Sequence, residues 1–169
     1  ATGTPFEYIG SVSVSALDPS LGPTTGGTVV TVSGSDFDEG ASMGCSFGEL
    51  ASANVTVVSS SEMRCVTPPS ELGGSVSVVL SANGVTVGEG STPFEYVEPA
   101  SVTSVEPTVG EAQGGTTVLV VGYGFVDSGA LRCSFGGSES EARWLGPTMV
   151  ECEAPAHEAG AVSVEVSVN

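Results

Sequence analysis

Residues 15–48 read SALDPSLGPTTGGTVVTVSGSDFDEGASMGCSFG, and residues 103–136 read TSVEPTVGEAQGGTTVLVVGYGFVDSGALRCSFG. The two stretches align without a gap. Pro19 falls on Pro107, Gly26-Gly27 on Gly114-Gly115, Gly34 on Gly122, Phe37 on Phe125 and Cys45 on Cys133, always 88 residues apart. Beyond them Cys65 meets Cys152 and Pro68 meets Pro155 at 87 residues, and SVSVVLSAN at 75–83 meets AVSVEVSVN at 161–169. Self-similarity of this kind means two copies of one structural unit, joined near Glu98-Pro99.

Each copy reads as all-β. The runs 28–32, 116–121, 75–80 and 162–168 are short and Val-rich, and several alternate apolar residues with Ser, Thr or Glu, the two-residue period of a half-buried strand. Clusters of Gly, Pro, Ser and Asp separate them, and no window has helical periodicity. The glycine pairs in TTGGT and AQGGT predict a tight turn with positive φ ahead of a central strand. Many short strands with closely spaced turns predict a β-sandwich.

The ordered pattern P..G...GGT.V.V.G..F, then C.FG, C..P, an alternating strand and a closing PFEY resembles the IPT/TIG family of immunoglobulin-like domains. The resemblance spans nearly the whole chain, twice. It implies a sandwich of about seven strands, of a type found in tandem in extracellular proteins. It implies no activity, because the fold is a general scaffold.

Composition narrows the partners. The 169 residues are 40% hydrophobic, which is not a disordered-chain composition. There is no Lys, the basic residues are Arg64, Arg132 and Arg143, and the formal net charge is −17. Nucleic acid and anionic lipid would repel such a chain, so neither is an expected partner. No run of eighteen apolar residues exists, so no membrane insertion is expected in this segment. The acidity serves solubility or, in a sharper reading, cation binding.

The four cysteines, two per unit, allow three pairings. Homologous units should solve the same packing problem alone, which selects Cys45 with Cys65 and Cys133 with Cys152. Zinc is the alternative, but the chain has a single His, His157, and no CxxC. Disulfides imply an oxidising compartment and hence an extracellular or cell-surface location. Asn54-Val55-Thr56 is an N-glycosylation sequon present only in the first unit, since Glu141 stands at the equivalent place. Thr next to Pro at positions 4, 67 and 92 offers candidate O-glycan sites.

An enzyme is not expected. His157 has no GxSxG partner sequence, and the carboxylates Asp36, Asp38 and Glu39 in SDFDEG face no second acidic cluster. That turn is a weak Ca²⁺ candidate, because hard oxygen ligands crowd it, but the EF-hand spacing is absent. No cofactor is otherwise expected. Trp144, which aligns with Val57, is expected in the core rather than on a binding platform.

TPFEY occurs at 92–96 and again at 4–8, at the repeat offset. At 92–96 it closes the first unit, with Phe94 and Tyr96 on one face and Glu95 on the other. Residues Thr4, Pro5, Phe6, Glu7 and Tyr8 therefore read as a closing strand with no unit before it, and the second unit as one without its own closing strand. The division expected is 1–10 as the displaced strand, 11–98 as the first sandwich and 99–169 as the second, incomplete one. A sandwich short of a strand leaves an edge that templates pairing. Residues 4–8 of one copy are expected to complete the next copy against Val162, Val164, Val166 and Val168, joining copies head to tail in an extracellular filament. The alternative is a ligand-binding or adhesive fragment of a larger multi-repeat cell-surface protein, cut out of phase with its domains. A terminal strand simply left out is the third explanation.

Overall fold

The computed structural model describes residues 11–89 and 92–169, so the displaced TPFEY at 4–8 lies outside the described residues. The chain divides between Tyr96 and Val97 into two compact units.

The first unit runs β1 (Ser13–Asp18), β2 (Leu21–Pro23), β3 (Val29–Ser35), β4 (Met43–Phe47), β5 (Leu50–Ala51), β6 (Val55–Ser59), β7 (Glu62–Val66), β8 (Gly74–Val76), β9 (Val78–Ala82), β10 (Val85–Glu89) and β11 (Phe94–Val97). They form three sheets, ordered β1-β3-β7-β6, β10-β9-β4-β5 and β2-β11-β8. Alternation decides the faces. Val30 and Val32 of β3 and Val78 and Leu80 of β9 are fully buried, whereas Val29 is exposed. These residues join Phe37, Phe47, Met63, Phe94 and Tyr96 in one core.

The second unit runs β12 (Ser101–Glu106), β13 (Thr117–Tyr123), β14 (Arg132–Phe135), β15 (Ser138–Gly146), β16 (Met149–Glu153) and β17 (Val164–Ser167). They connect in the order β12-β13-β16-β15-β14-β17. β15 is long enough to pair with β14 through its first half and with β16 through its second. The first unit breaks the same run into β5 and β6.

Even the irregularities repeat. The β1/β3 ladder slips between Val14 and Ala16, and the β12/β13 ladder slips between Val102 and Ser104. Such bulges sharpen local twist and are built features. The predicted glycine turns are present: Gly26 and Gly114 have φ of 73° and 82°. A Cβ on Gly26 would lie 2.6 Å from the Pro68 carbonyl carbon, and one on Gly114 2.9 Å from that of Pro155. The GG and C..P parts of the pattern therefore touch each other.

Two expectations change. Residues 75–80 are not one strand. The Gly48 N–H bonds the Ser77 carbonyl at 2.8 Å, and β8 and β9 on either side of Ser77 join different sheets. Trp144 is not in the core. It is 37% exposed on β15, where its indole N–H donates to the Phe125 carbonyl at 3.1 Å. A polar handle with a partner near the surface holds the ring there.

Candidate functional site

The closing strand of the first unit defines what a completed edge looks like. β11 lies between β2 and β8, antiparallel to β8 with Phe94 opposite Val76 and Tyr96 opposite Gly74. Phe94 is 0% and Tyr96 2% exposed. The Phe94 ring stands edge-on to both Phe47 and Tyr96, with centroids 5.1 Å apart in each pair. Gly22 leaves room for it, because a Cβ there would lie 3.0 Å from Phe94 Cζ. Tyr96 donates its hydroxyl to the Pro68 carbonyl at 2.8 Å.

Burial pushes the Tyr96 phenol up from 10.0 to about 12. The folded unit thus prefers the neutral phenol, so this contribution to stability is complete below pH 10 and is lost as pH rises towards 12. The first unit should lose stability across that window, and Tyr96→Phe should flatten the loss. Denaturant midpoints at stepped alkaline pH, read beside tyrosinate absorbance, check this; equal slopes in both proteins would count against it.

In the second unit the places equivalent to β2 and β8, residues 109–111 and 160–162, lie outside any strand. Beside them opens a groove of about 440 Å³ whose lining includes Gly110, Val118, Phe135, Pro155, Val162 and Val164. Val109 is 80% and Val162 40% exposed along it. Four lining residues match those around β11: Gly110 for Gly22, Phe135 for Phe47, Pro155 for Pro68 and Val162 for Val76. Of the four valines expected on an acceptor strand, Val162 and Val164 line this groove. Val166 sits opposite Cys133 on β14, and the buried Val168 accepts the Ser128 hydroxyl through its carbonyl.

Disulfides join Cys45 to Cys65 and Cys133 to Cys152, with Cα atoms 6.4 and 6.3 Å apart. The first links β4 to β7 in different sheets, and the second links β14 to β16. Asn54 is exposed just ahead of β6. Asp36 accepts the Ser35 hydroxyl, and Asp38 Oδ1 accepts the Gly40 N–H at 2.8 Å. Among the described residues no group of three or more His, Cys, Asp or Glu side chains converges to hold a metal, this turn included. His157 is exposed on the groove rim, its Nδ1 3.0 Å from the Glu158 carbonyl. Each arginine lies beside a glutamate: Arg64 with Glu62, Arg132 with Glu141 and Arg143 with Glu151 at 3.2, 3.9 and 2.8 Å.

Two successive disulfide-bridged β-sandwiches of one pattern make this a tandem immunoglobulin-like module. The IPT/TIG domain family matches residues 12–96 and 100–169, and the chain belongs to that family. It is 32% identical to human plexin-A2 over 148 residues, which is 85% of this chain and 8% of that protein. It is 34% identical to mouse fibrocystin-L over 95 residues, 56% of this chain and 2% of that protein. The chain thus spans a small fraction of the length of these relatives. Among solved structures it superposes on the full extracellular region of plexin A4 (domains 1 to 10) with a TM-score of 0.64 and 27% identity, covering 88% of this chain and 13% of that one. The disulfides and the extracellular relatives assign the chain to the cell exterior or surface.

Proposed function

We propose that the chain is a non-catalytic structural and adhesive segment of a larger multi-repeat cell-surface ectodomain. The observation that carries this reading is the match of both units, in succession, to plexin sequences and to a plexin extracellular region. The disulfides suit that setting, since they stabilise each sandwich outside the reducing cytosol. The charge of −17, with each arginine beside a glutamate, favours neutral or cationic protein or sugar surfaces over nucleic acid. The exposed Asn54 carries an N-linked glycan in this reading.

A second reading, copies of the chain joined head to tail into a filament, is favoured by the identity of residues 4–8 with the strand that closes the first unit. One experiment separates the two. Denaturing mass measurement and peptide mapping of native material should find this sequence inside a much longer polypeptide with further repeats, and a sugar on the Asn54 peptide. A short polypeptide recovered from fibres would overturn the ectodomain reading, and a bare Asn54 peptide would remove the glycan.

A further inference from the structure

The two units differ on the solvent face of one sheet. In the second unit Thr117 stands opposite Glu153 and Ala142 opposite Cys152, so Glu141 falls next in line beside Glu153. These three residues are exposed and line one shallow hollow. At offsets of 88, 87 and 87 residues the first unit has Val29, Val66 and Asn54 in their places. Val29 stands opposite Val66, and the Val66 N–H donates to the Asn54 carbonyl at 3.0 Å. Val55 and Val57 pack on the core, so the two-residue period turns Asn54 and Thr56 outward, onto the face that carries Val66 and Val29. Val29 is 55% exposed and Val66 half-buried. Two valines thus face water where the second unit has Thr and Glu, in the same row as the sugar acceptor. β6 is also the outer strand of its sheet, and VTVVS holds no charge to keep other strands off. The second unit has Glu141 and Arg143 at the places of Asn54 and Thr56, the two residues the sequon requires.

We propose that Val66 and Val29 form a seat for the first sugar of an N-linked glycan on Asn54, which lies back across the sheet face instead of standing away from it. In the modification the Asn54 side-chain nitrogen bonds the anomeric carbon of an N-acetylglucosamine. The bond from that carbon to a lipid pyrophosphate breaks, the pyrophosphate leaves with the electron pair, and the nitrogen gives up one proton. Adjacent strands lie about 4.8 Å apart, so Val66 is one strand and Val29 two strands, about 10 Å, from the attachment point. An Asn side chain with one sugar covers that reach. The C–H underside of the ring and the N-acetyl methyl give the valine methyls apolar cover, while the sugar hydroxyls stay in water. The occupant is fixed by its tether, because Asn54 sits in the row it covers. The inference rests on the glycan that the ectodomain reading places on Asn54.

The test compares three forms of the chain secreted from glycosylating cells: with its whole glycan, trimmed by an endoglycosidase to a single N-acetylglucosamine, and as Asn54→Gln with no sugar. In the first two forms, nuclear Overhauser contacts should join the N-acetyl methyl to the methyls of Val66 and Val29. Amide exchange in β6 and β7 should be about fivefold faster in Asn54→Gln and unchanged by trimming, because the first sugar makes the contact. A second chain, Val29→Thr with Val66→Glu, carries the second unit's residues in this row. There the contacts should vanish, and exchange with and without the sugar should agree. Comparing each chain with its own sugar-free form separates the seat from any general cost of the substitutions. A sugar on Asn54 that makes no contact with either valine, or that protects the substituted chain equally, overturns the seat and leaves the ectodomain reading and its glycan standing. A bare Asn54 in native material overturns the glycan and the seat together.

Discussion

Phe94→Ala should destabilise the first unit by about 3–5 kcal/mol, the cost of emptying a well-packed aromatic site. Phe94 is fully buried and makes edge-on contacts with two other rings, each a further loss of about 0.5–1.5 kcal/mol beyond the area term. Little nearby can collapse into the space, because Phe47 is held within β4 and Tyr96 by its hydroxyl bond to the Pro68 carbonyl. A single domain has about 5–15 kcal/mol in all, so the substitution removes a large share. The chain provides its own control. Its one tryptophan, Trp144, belongs to the second unit. Far-UV circular dichroism should show the first unit melting early while the Trp144 transition stays in place. Parallel shifts of both signals, or a loss below about 1 kcal/mol, would contradict the role given to this ring.

The disulfides carry the other large effect. Cys45→Ala with Cys65→Ala should cost about 3 kcal/mol, the loop-closure entropy of a bridge between residues 20 apart. Both sulfurs are buried, at 3% and 0% exposure, so lost packing adds to the entropy. The matching pair, Cys133→Ala with Cys152→Ala, spans 19 residues and should cost about the same. Here Trp144 reports directly, because it lies opposite Val150, two residues before Cys152. Denaturant titrations should show lower midpoints, and a larger m-value as the unfolded chain expands. Stability unchanged in both double variants would mean that the bridges are incidental to the fold.

Much of the fold is legible in the sequence because its glycines and aromatics answer to one another at close range. A Cβ on Gly34 would collide with the Ser13 carbonyl and lie 2.6 Å from Phe37 Cζ; Gly122, the Ser101 carbonyl and Phe125 Cζ (at 2.7 Å) repeat the arrangement. A G..F signature is thus a steric requirement that a reader can find twice. The cysteine pairing is legible for the same reason, since two copies must each solve it alone. What escapes is long-range backbone bonding. Nothing in SVSVVL announces that the Ser77 carbonyl turns to the Gly48 N–H and sends the two halves of the run to different sheets. Alignment put Trp144 at the place of Val57, but a valine has no N–H to seek the Phe125 carbonyl. The groove is half legible: residues 161–169 show where the second unit's matching segment runs, while the other wall, at 109–111, emerges only once β2 is seen beside β11.

The three arginines sit within β7, β14 and β15, each on a paired strand. Trypsin cleaves after Lys or Arg and needs an extended, unpaired segment in its cleft. With no lysine in the chain, every tryptic bond lies in the neighbourhood of a hydrogen-bonded ladder. Digestion must then wait for a sandwich to open, so the survival time of intact chain tracks how often each unit unlatches, Arg64 timing the first and Arg132 and Arg143 the second.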